Sequence, residues 1–224
     1  MSCGPDPVLA EFDAVVFDWD GTLIDSTPTI ARSIQAAAAD LGLPVPNFEQ
    51  ASHVIGLGLH DALARAVPTL PQSRAAEFSA RYRVHYLAQD HTLELFAGAR
   101  ELVEALSRRG KPLAIATGKS RVGLLRALET TGLGRYFDAY RCADQTHSKP
   151  HPAMLLELAE ELSLDPARLL MIGDTTHDLE MAAAAGTKAV GLTHGAHNVA
   201  ALQRLAPLAL FDSLAELHRW LLPE

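Results

Sequence analysis

A short apolar run near the start of the chain ends in two carboxylates, and this feature constrains the fold more than any other. The sequence reads AVVFDWDGTL at positions 14–23, with Asp18 and Asp20 directly after four apolar residues. A brief apolar run of this kind is typical of a strand buried on both faces of a parallel sheet. A buried carboxylate is costly unless a cation or hydrogen-bond donors meet it. The sequence therefore predicts a buried strand that delivers two acidic groups to a site with positive partners.

Four further apolar runs have the same character. They are PLAIAT (112–117), LLMIGD (169–174), KAVGLT (188–193) and LALFD (208–212), and a weaker strand signal is AYRCAD (139–144). Helical patterns lie between most of them, such as Leu124, Leu125 and Leu128 between Ser120 as cap and Gly132 as stop. Strands that alternate with helices predict right-handed βαβ units. The expected fold class is α/β, with a Rossmann-like, doubly wound parallel sheet.

One region interrupts this alternation. Residues 25–94 contain several helical patterns and no convincing strand, and the first pattern places Ile30, Ile34 and Leu41 on one face. An all-helical block that follows the first strand directly indicates a small domain inserted into a larger one. We expect an α/β core formed by residues 1–24 and 95–224, with residues 25–94 as the insertion.

Polar residues follow three of the predicted strands, at Asp18, Asp20, Thr117, Gly118, Asp174 and Asp178. Lys149 stands among turn residues ahead of the strand that leads to Asp174. In open α/β sheets, sites form outside the carboxyl ends of the strands. Carboxylate oxygens are the ligands that hard divalent cations prefer. These positions therefore predict a site for a divalent cation with a phosphoryl group beside it.

Composition and residue spacing limit the classes of partner, metal site and cellular location that we expect. The net charge is −8 and the four lysines are scattered, which argues against nucleic acid as a partner. No segment approaches the ~20 continuous apolar residues of a membrane span. The N-terminus lacks the pattern of a signal peptide, so we expect a cytoplasmic protein. Cys3 and Cys142 have no metal-ligand spacing, and we expect structural or solvated roles for the ten histidines.

Taken in chain order, the polar residues resemble the four motifs of the haloacid dehalogenase superfamily. The first motif, Asp-x-Asp-x-Thr, corresponds to positions 18–22, and the second, a Thr or Ser at a strand end, to Thr117. The third, a lysine, corresponds to Lys149, and the fourth to the acidic pair Asp174 and Asp178. The helical block matches the cap that this family inserts between its first two motifs. The resemblance thus covers essentially the whole chain.

The resemblance implies a role for each carboxylate. Asp18 would attack phosphorus and form an aspartyl-phosphate. Asp20 would protonate the leaving alkoxide and then activate water, while its backbone carbonyl would bind Mg²⁺. Asp18 and Asp174 would bind this cation directly, whereas Asp178 would bind it directly or order its waters, and the sequence leaves both possibilities open.

The remaining motif residues would handle the phosphoryl group. By the same resemblance, Thr117 and the amide of Gly118 would hold its oxygens, helped by the start of the helix after Ser120. Lys149 would bridge the nucleophile and the phosphate and offset the charge of the carboxylates. The implied activity is that of a Mg²⁺-dependent phosphomonoester hydrolase.

Other chemistries of this family fit the chain less well. Phosphonate hydrolases need a lysine in the cap, and residues 25–94 contain none. Sugar phosphomutases carry a histidine where this chain has Ile30, and a serine–arginine pair where it has Gly56-Leu57-Gly58-Leu59. The best match is the phosphoglycolate phosphatase-like group, acting on a small phosphorylated metabolite. A pyrophosphatase, a nucleotide or sugar phosphatase, and a phosphate-binding protein without catalysis stay open.

Two questions concern the residues of the cap that would contact the substrate. A glycolate carboxylate should need a cation near the cap, for which Arg65, Arg81 and Arg83 are the candidates. The loop that contains Gly56 and Gly58 either faces the substrate or only joins two helices. The sequence does not show whether the protein is a monomer or a homodimer.

Overall fold

A parallel sheet of six strands forms the centre of the computed structural model, which describes residues 8–223. Its strands are β1 (Ala14–Phe17), β2 (Leu113–Thr117), β3 (Ala139–Cys142), β4 (Leu169–Gly173), β5 (Lys188–Leu192) and β6 (Leu210–Phe211). The order across the sheet is β3-β2-β1-β4-β5-β6, and every neighbouring pair is parallel. The predicted α/β fold class is confirmed. Because β1 lies between β2 and β4, residues that follow these three strands meet at one edge.

Every predicted strand forms. Most strands end one or two residues earlier than predicted, because their polar C-terminal residues leave the ladder for the site or for turns. The segment 208–212 contributes only the two residues of β6, which pair with Gly191 and Leu192 of β5. This strand is at the sheet edge and is partly exposed, so few contacts hold a longer ladder there.

Helices cover both faces of the sheet. They are α5 (Ala99–Arg108), α6 (Arg121–Thr131), α7 (Ala153–Leu162), α8 (Thr176–Ala185), α9 (Val199–Gln203) and α10 (Leu214–Leu221). As predicted, α6 starts at Ser120, whose hydroxyl accepts the Gly123 N–H, and ends at Gly132, whose φ of 68° suits glycine. Leu125 was expected on the buried face of α6 but is 39% exposed. It lies beside the buried stripe that Leu124 and Leu128 form.

The segment 25–94, called the cap segment below, contains α1 (Thr27–Asp40), α2 (Phe48–His53), α3 (Leu59–Ala66) and α4 (Ala75–Leu87). These helices bury their own apolar cluster, which includes Ile34, Leu63 and Phe78. Two other clusters lie on the two faces of the sheet. Among the described residues, no helix is both long enough and apolar enough to span a membrane. The predicted domain boundaries stay a prediction, which separate unfolding of the cap segment would test.

Leu63→Ala should destabilise the cap segment by about 2–5 kcal/mol, because it leaves a cavity in the helical cluster. If this segment is a domain, amide hydrogen exchange should accelerate in α1 and α4 and stay unchanged in β1 and β4. Leu102→Ala, a matched change in the cluster that packs on the sheet, should accelerate exchange in the strands. Equal acceleration of helices and strands by Leu63→Ala would mean one cooperative unit.

Candidate active site

Asp18 is the first residue after β1, and its carboxylate lies in the interior of the protein. Its backbone N–H still donates to Ile172 O of β4 at 2.9 Å, which fixes the start of the turn. Oδ1 accepts a hydrogen bond from Lys149 Nζ at 2.6 Å. Oδ2 is buried and has no hydrogen-bond partner among the described residues. Asp18 therefore presents one fixed oxygen and one oxygen that is available to a metal or a substrate.

Lys149 reaches the site from the loop between β3 and α7 and is fully buried. Its Nζ donates to Asp18 Oδ1 and to Asp178 Oδ1, each at 2.6 Å. Burial lowers the pKa of Lys149, but the charges of Asp178 and Asp18 outweigh it and raise the pKa above its ordinary value. The ammonium therefore stays charged and holds together carboxylates that come from two different strand ends.

Asp178 has a second set of contacts at the start of α8. Thr175 donates to Asp178 Oδ2 from its backbone N–H at 3.1 Å and from its hydroxyl at 2.7 Å. The Thr175 hydroxyl also lies 3.3 Å from the Asp178 N–H, which completes a capping box. The helix start thus fixes the Asp178 carboxylate, and this carboxylate in turn fixes Lys149.

Asp174 completes an acidic group with Asp18 and Asp178, whose ligand atoms lie within 4.8 Å of one another. Asp174 Oδ1 accepts from the Thr22 hydroxyl and Oδ2 from the Ala196 N–H, both at 2.7 Å. Burial and the charge of Asp178 raise the pKa of Asp174 to about 7. Burial likewise raises the pKa of Asp18 well above its usual range.

This acidic group fits a hard divalent cation. It offers carboxylate oxygens, one of which has no hydrogen-bond partner in the described part of the chain, and it carries more negative charge than Lys149 can balance. Gly21 keeps the space beside it open, since a Cβ there would lie 2.4 Å from Asp174 Oδ2. No group of histidines or cysteines among residues 8–223 has comparable geometry.

Asp20 lies close to this group but its side chain turns elsewhere. Asp20 Oδ1 accepts from the Ser26 hydroxyl at 2.8 Å. Lys119 Nζ donates to both carboxylate oxygens, at 2.9 Å and 2.8 Å. The Asp20 side chain is therefore outside the acidic group, and the expected contact of its backbone carbonyl with a metal stays a prediction.

Lys119 is a site residue to which the sequence assigned no role. Its Nζ also donates to the hydroxyl of Tyr86 in α4 at 3.1 Å and lies 4.9 Å from the centre of that ring. Burial opposes its charge, but the carboxylate of Asp20 raises the pKa of Lys119 above its ordinary value. The available signal was its place two residues after Thr117, at the same strand end as the motif residue.

Thr117 and Gly118 end β2 beside Asp18, and a loop of the cap segment lies directly over them. Thr117 is fully buried, and its hydroxyl accepts the Lys119 N–H at 3.2 Å. A Cβ on Gly118 would lie only 2.4 Å from the carbonyl oxygen of Leu57. The Gly58 N–H donates to the Ser148 hydroxyl of the core at 2.6 Å. The glycine loop thus faces the site and does more than join two helices.

A cavity of ≈ 800 Å³ lies between the cap segment and the sheet edge, and Asp18, Asp20 and Thr117 reach it. Of the three candidate arginines, only Arg83 lines this cavity. Arg81 lies 4.0 Å from Asp40 on the outer side.

The buried histidines join the cap segment to the core. His177 Nε2 and His197 Nε2 lie 3.1 Å and 3.0 Å from the carbonyl oxygen of His53, the last residue of α2. His197 Nδ1 accepts the Thr176 N–H at 3.0 Å, so the proton of its neutral ring sits on Nε2. Burial, together with the charge of a nearby histidine, lowers the pKa of His197 to about 4. These contacts agree with the structural role predicted for these residues.

Gly118→Ala should lower kcat/KM at least about tenfold while the melting temperature stays near that of the wild type. The variant keeps the backbone amide, but its Cβ would meet carbonyl oxygens of Gly56 and Leu57 and push the cap loop away. Gly134→Ala is a matched control, because a Cβ there makes only an ordinary 3.5 Å contact. Unchanged kinetics in Gly118→Ala would show that the close approach of the loop does not matter for turnover.

Comparison with known proteins agrees with this geometry. A family model described as haloacid dehalogenase-like hydrolase matches residues 15–192. A probable phosphatase, IndB of Dickeya dadantii, is 36% identical over 208 residues, which cover 90% of this chain and 90% of that protein. A phosphoglycolate phosphatase of Escherichia coli K12 is 31% identical over 227 residues, with 91% and 90% covered.

A solved structure shows the same fold. The crystal structure of a predicted phosphoglycolate phosphatase from Haemophilus somnus superposes with a TM-score of 0.82 at 29% identity. The similarity covers 92% of this chain and 96% of the other. The match thus includes the cap segment as well as the sheet. The chain therefore belongs to the haloacid dehalogenase-like hydrolase family and is a phosphatase of that family.

Proposed function

We propose that this phosphatase hydrolyses phosphomonoesters of small metabolites through a phosphoryl group carried by Asp18, with Mg²⁺ as its cofactor. The observation that carries the proposal is the Asp18 carboxylate, whose Oδ1 is fixed by Lys149 and whose Oδ2 is buried without a partner among residues 8–223. An oxygen in this state is oriented for attack on an electrophile in the cavity and loses no hydrogen bond when it reacts.

In the first proposed step, Asp18 Oδ2 forms a bond to phosphorus while the bond from phosphorus to the ester oxygen breaks. Asp20 donates a proton to the departing oxygen, so that a neutral alcohol leaves. In the second step Asp20 takes a proton from water as the water oxygen attacks phosphorus. The bond from Asp18 to phosphorus breaks, which releases inorganic phosphate, restores the Asp18 carboxylate and leaves Asp20 protonated for the next cycle.

The residues that surround Asp18 would position the phosphoryl group. The hydroxyl of Thr117 and the amide of Gly118 lie at the end of the neighbouring strand, next to the start of α6. Helix starts and backbone N–H groups favour anions. Lys149 already contacts Asp18, so its ammonium is placed to approach a phosphoryl oxygen bonded to that carboxylate.

Asp18 and Asp174 would hold Mg²⁺, with Asp178 as a direct or water-mediated ligand and the Asp20 carbonyl as a further one. When bound, the cation would neutralise phosphoryl charge and so let an anionic carboxylate approach an anionic ester. The arrangement of three buried carboxylates supports this assignment.

Residues 25–94 would act as a cap that opens to exchange substrate and product and closes to exclude bulk water. The two connections to the core run side by side, since the Asp25 N–H donates to the Glu94 carbonyl at 2.9 Å and Ile24 bridges to Leu95. Paired connections of this kind can bend together as a hinge. We place the hinge near residues 24–26 and 95–98.

Phosphoglycolate is the first substrate to test, because several relatives carry that name and the sequence favours that group. Phosphate release should also be measured on pyrophosphate, nucleotides, sugar phosphates and an aryl phosphate. One substrate that clearly exceeds the others, with Mg²⁺ and not with EDTA, would identify the physiological class.

Asp18→Asn should lower kcat by at least about three orders of magnitude, because an amide oxygen cannot form the phosphorylated carboxylate. Asp13→Asn is the matched control at the other end of β1, where Asp13 pairs with Arg168 on the surface. Phosphate release and circular dichroism check the two variants. If Asp18→Asn kept more than about a tenth of the rate, less than about 1.4 kcal/mol of the barrier would depend on this group and the assignment would fail.

Mg²⁺ should raise the melting temperature of the wild-type protein, because a ligand that binds only the folded state stabilises it by mass action. Asp174→Asn should abolish most of this increase, since it removes one charge from the acidic group. Differential scanning calorimetry with and without Mg²⁺ measures the effect independently of turnover. An equal increase in the variant would place the cation elsewhere.

A further inference from the structure

We propose that Lys119 recognises an anionic group on the alcohol portion of the substrate, and that preferred substrates carry this group within one or two carbons of the ester oxygen. The inference rests on the proposed phosphatase reaction and adds to it a specificity-determining residue and a substrate class. It also answers the question of which cation meets a small acidic leaving group.

The position of Lys119 follows from that of Asp20. Asp20 must come within about 2.6–3.2 Å of the ester oxygen to give it a proton. Lys119 Nζ lies 2.9 Å and 2.8 Å from the two oxygens of the Asp20 carboxylate. Atoms that lie one or two bonds beyond the ester oxygen can therefore come close to this ammonium. Both Asp20 and Lys119 reach the cavity that would hold the alcohol portion.

The other cations near the cavity are paired or lie on the cap. Lys149 is shared between Asp18 and Asp178, on the phosphoryl side. Arg126 lines the cavity but pairs with Asp90 at 2.6 Å. Arg83 has no ion-pair partner among the described residues, but it extends from α4 and is exposed. Of the cations that line the cavity, Lys119 is the one that touches the proposed proton donor.

The surroundings of Lys119 hold its ammonium in place when Asp20 changes partner. Its side chain is only 10% exposed. The Tyr86 hydroxyl accepts from Nζ at 3.1 Å, and the Tyr86 ring lies 4.9 Å from it, so the cap segment contacts the cation directly. On the core side Gly123 makes room, since a Cβ there would lie 3.1 Å from Lys119 Cγ.

Catalysis requires an exchange of ion-pair partners at this position. When the Asp20 side chain turns from Lys119 towards the ester oxygen, the ammonium of Lys119 loses the carboxylate that balances its charge. A buried ammonium without a counter-ion is costly. A carboxylate on the alcohol portion can take the place of Asp20, whereas a neutral group leaves the charge unbalanced. An acidic substrate therefore both binds to Lys119 and frees Asp20 to reach the ester oxygen.

The decisive experiment compares 2-phosphoglycolate with its amide, 2-phosphoglycolamide, which has nearly the same size and lacks the charge. The wild-type enzyme should prefer the acid at least about 100-fold in kcat/KM, because the amide leaves a buried charge unpaired. The amide is the more electron-withdrawing group, so leaving-group chemistry alone would favour the opposite order.

Lys119→Met should reduce this preference to less than about fivefold, since the methionine side chain still contacts the substrate while the positive charge is gone. Arg81→Met is the matched control, because Arg81 is a cation of α4 outside the cavity and should leave the preference as it is. The ratio of the two substrates is the readout, because a general loss of Asp20 function in Lys119→Met lowers both rates together.

Several outcomes would overturn the proposal. One is a wild-type enzyme that hydrolyses both esters within about threefold of each other while Asp18→Asn hydrolyses neither, which would leave the phosphatase assignment intact. Another is loss of the preference in Arg83→Met and its retention in Lys119→Met.

If Lys119→Met does not fold, inhibition of the wild type decides. Glycolate should compete with substrate far better than glycolamide, and equal inhibition overturns the proposal. Absence of phosphate release from every ester tested would reject the proposed function itself.

Discussion

The buried ammonium of Lys149 lies 2.6 Å from carboxylates that arrive from two different parts of the chain, and the active-site edge of the sheet depends on this contact. Asp18 comes from the end of β1 and Asp178 from the first turn of α8 after β4. A buried charge that loses its partner costs several kcal/mol, so removal of the lysine would destabilise this edge of the sheet. The pairing also leaves Asp18 Oδ2 with no hydrogen-bond partner among the residues that the structure describes. The same contact therefore maintains the fold locally and prepares the proposed nucleophile.

The site contains more carboxylates than lysines, and this imbalance indicates what else must bind there. Asp18 and Asp178 share Lys149, Asp174 lies beside them without an ion pair to a lysine among the described residues, and Asp20 is paired with Lys119. The raised pKa of Asp174, about 7, reflects burial and the neighbouring charge of Asp178. Three carboxylates and one ammonium leave two negative charges, which a divalent cation would balance.

The cap segment and the core meet through contacts of different kinds, several of which lie around the cavity. Backbone touches backbone where the loop at Leu57 approaches Gly118, and a hydrogen bond joins Gly58 to Ser148. On another side, the Tyr86 hydroxyl reaches Lys119, which holds Asp20. Movement of the cap segment would therefore change contacts beside the proposed proton donor as well as beside the phosphoryl site. This connection is the physical basis on which closure and proton transfer can be coordinated.

The sequence by itself determined the order of elements along the chain, with six apolar runs that predict strands and helical patterns between most of them. It also determined that carboxylates and a threonine follow the strands, and that a lysine stands in the loop ahead of β4. These features depend on local periodicity and residue chemistry, which a sequence displays directly. The contacts of Lys119 could not be predicted in this way. Lys119 meets Asp20 across 99 residues and Tyr86 across 33, because β2 lies beside β1 and α4 folds back over both. Pairings of this kind depend on packing between distant segments, and therefore only the tertiary structure decided them.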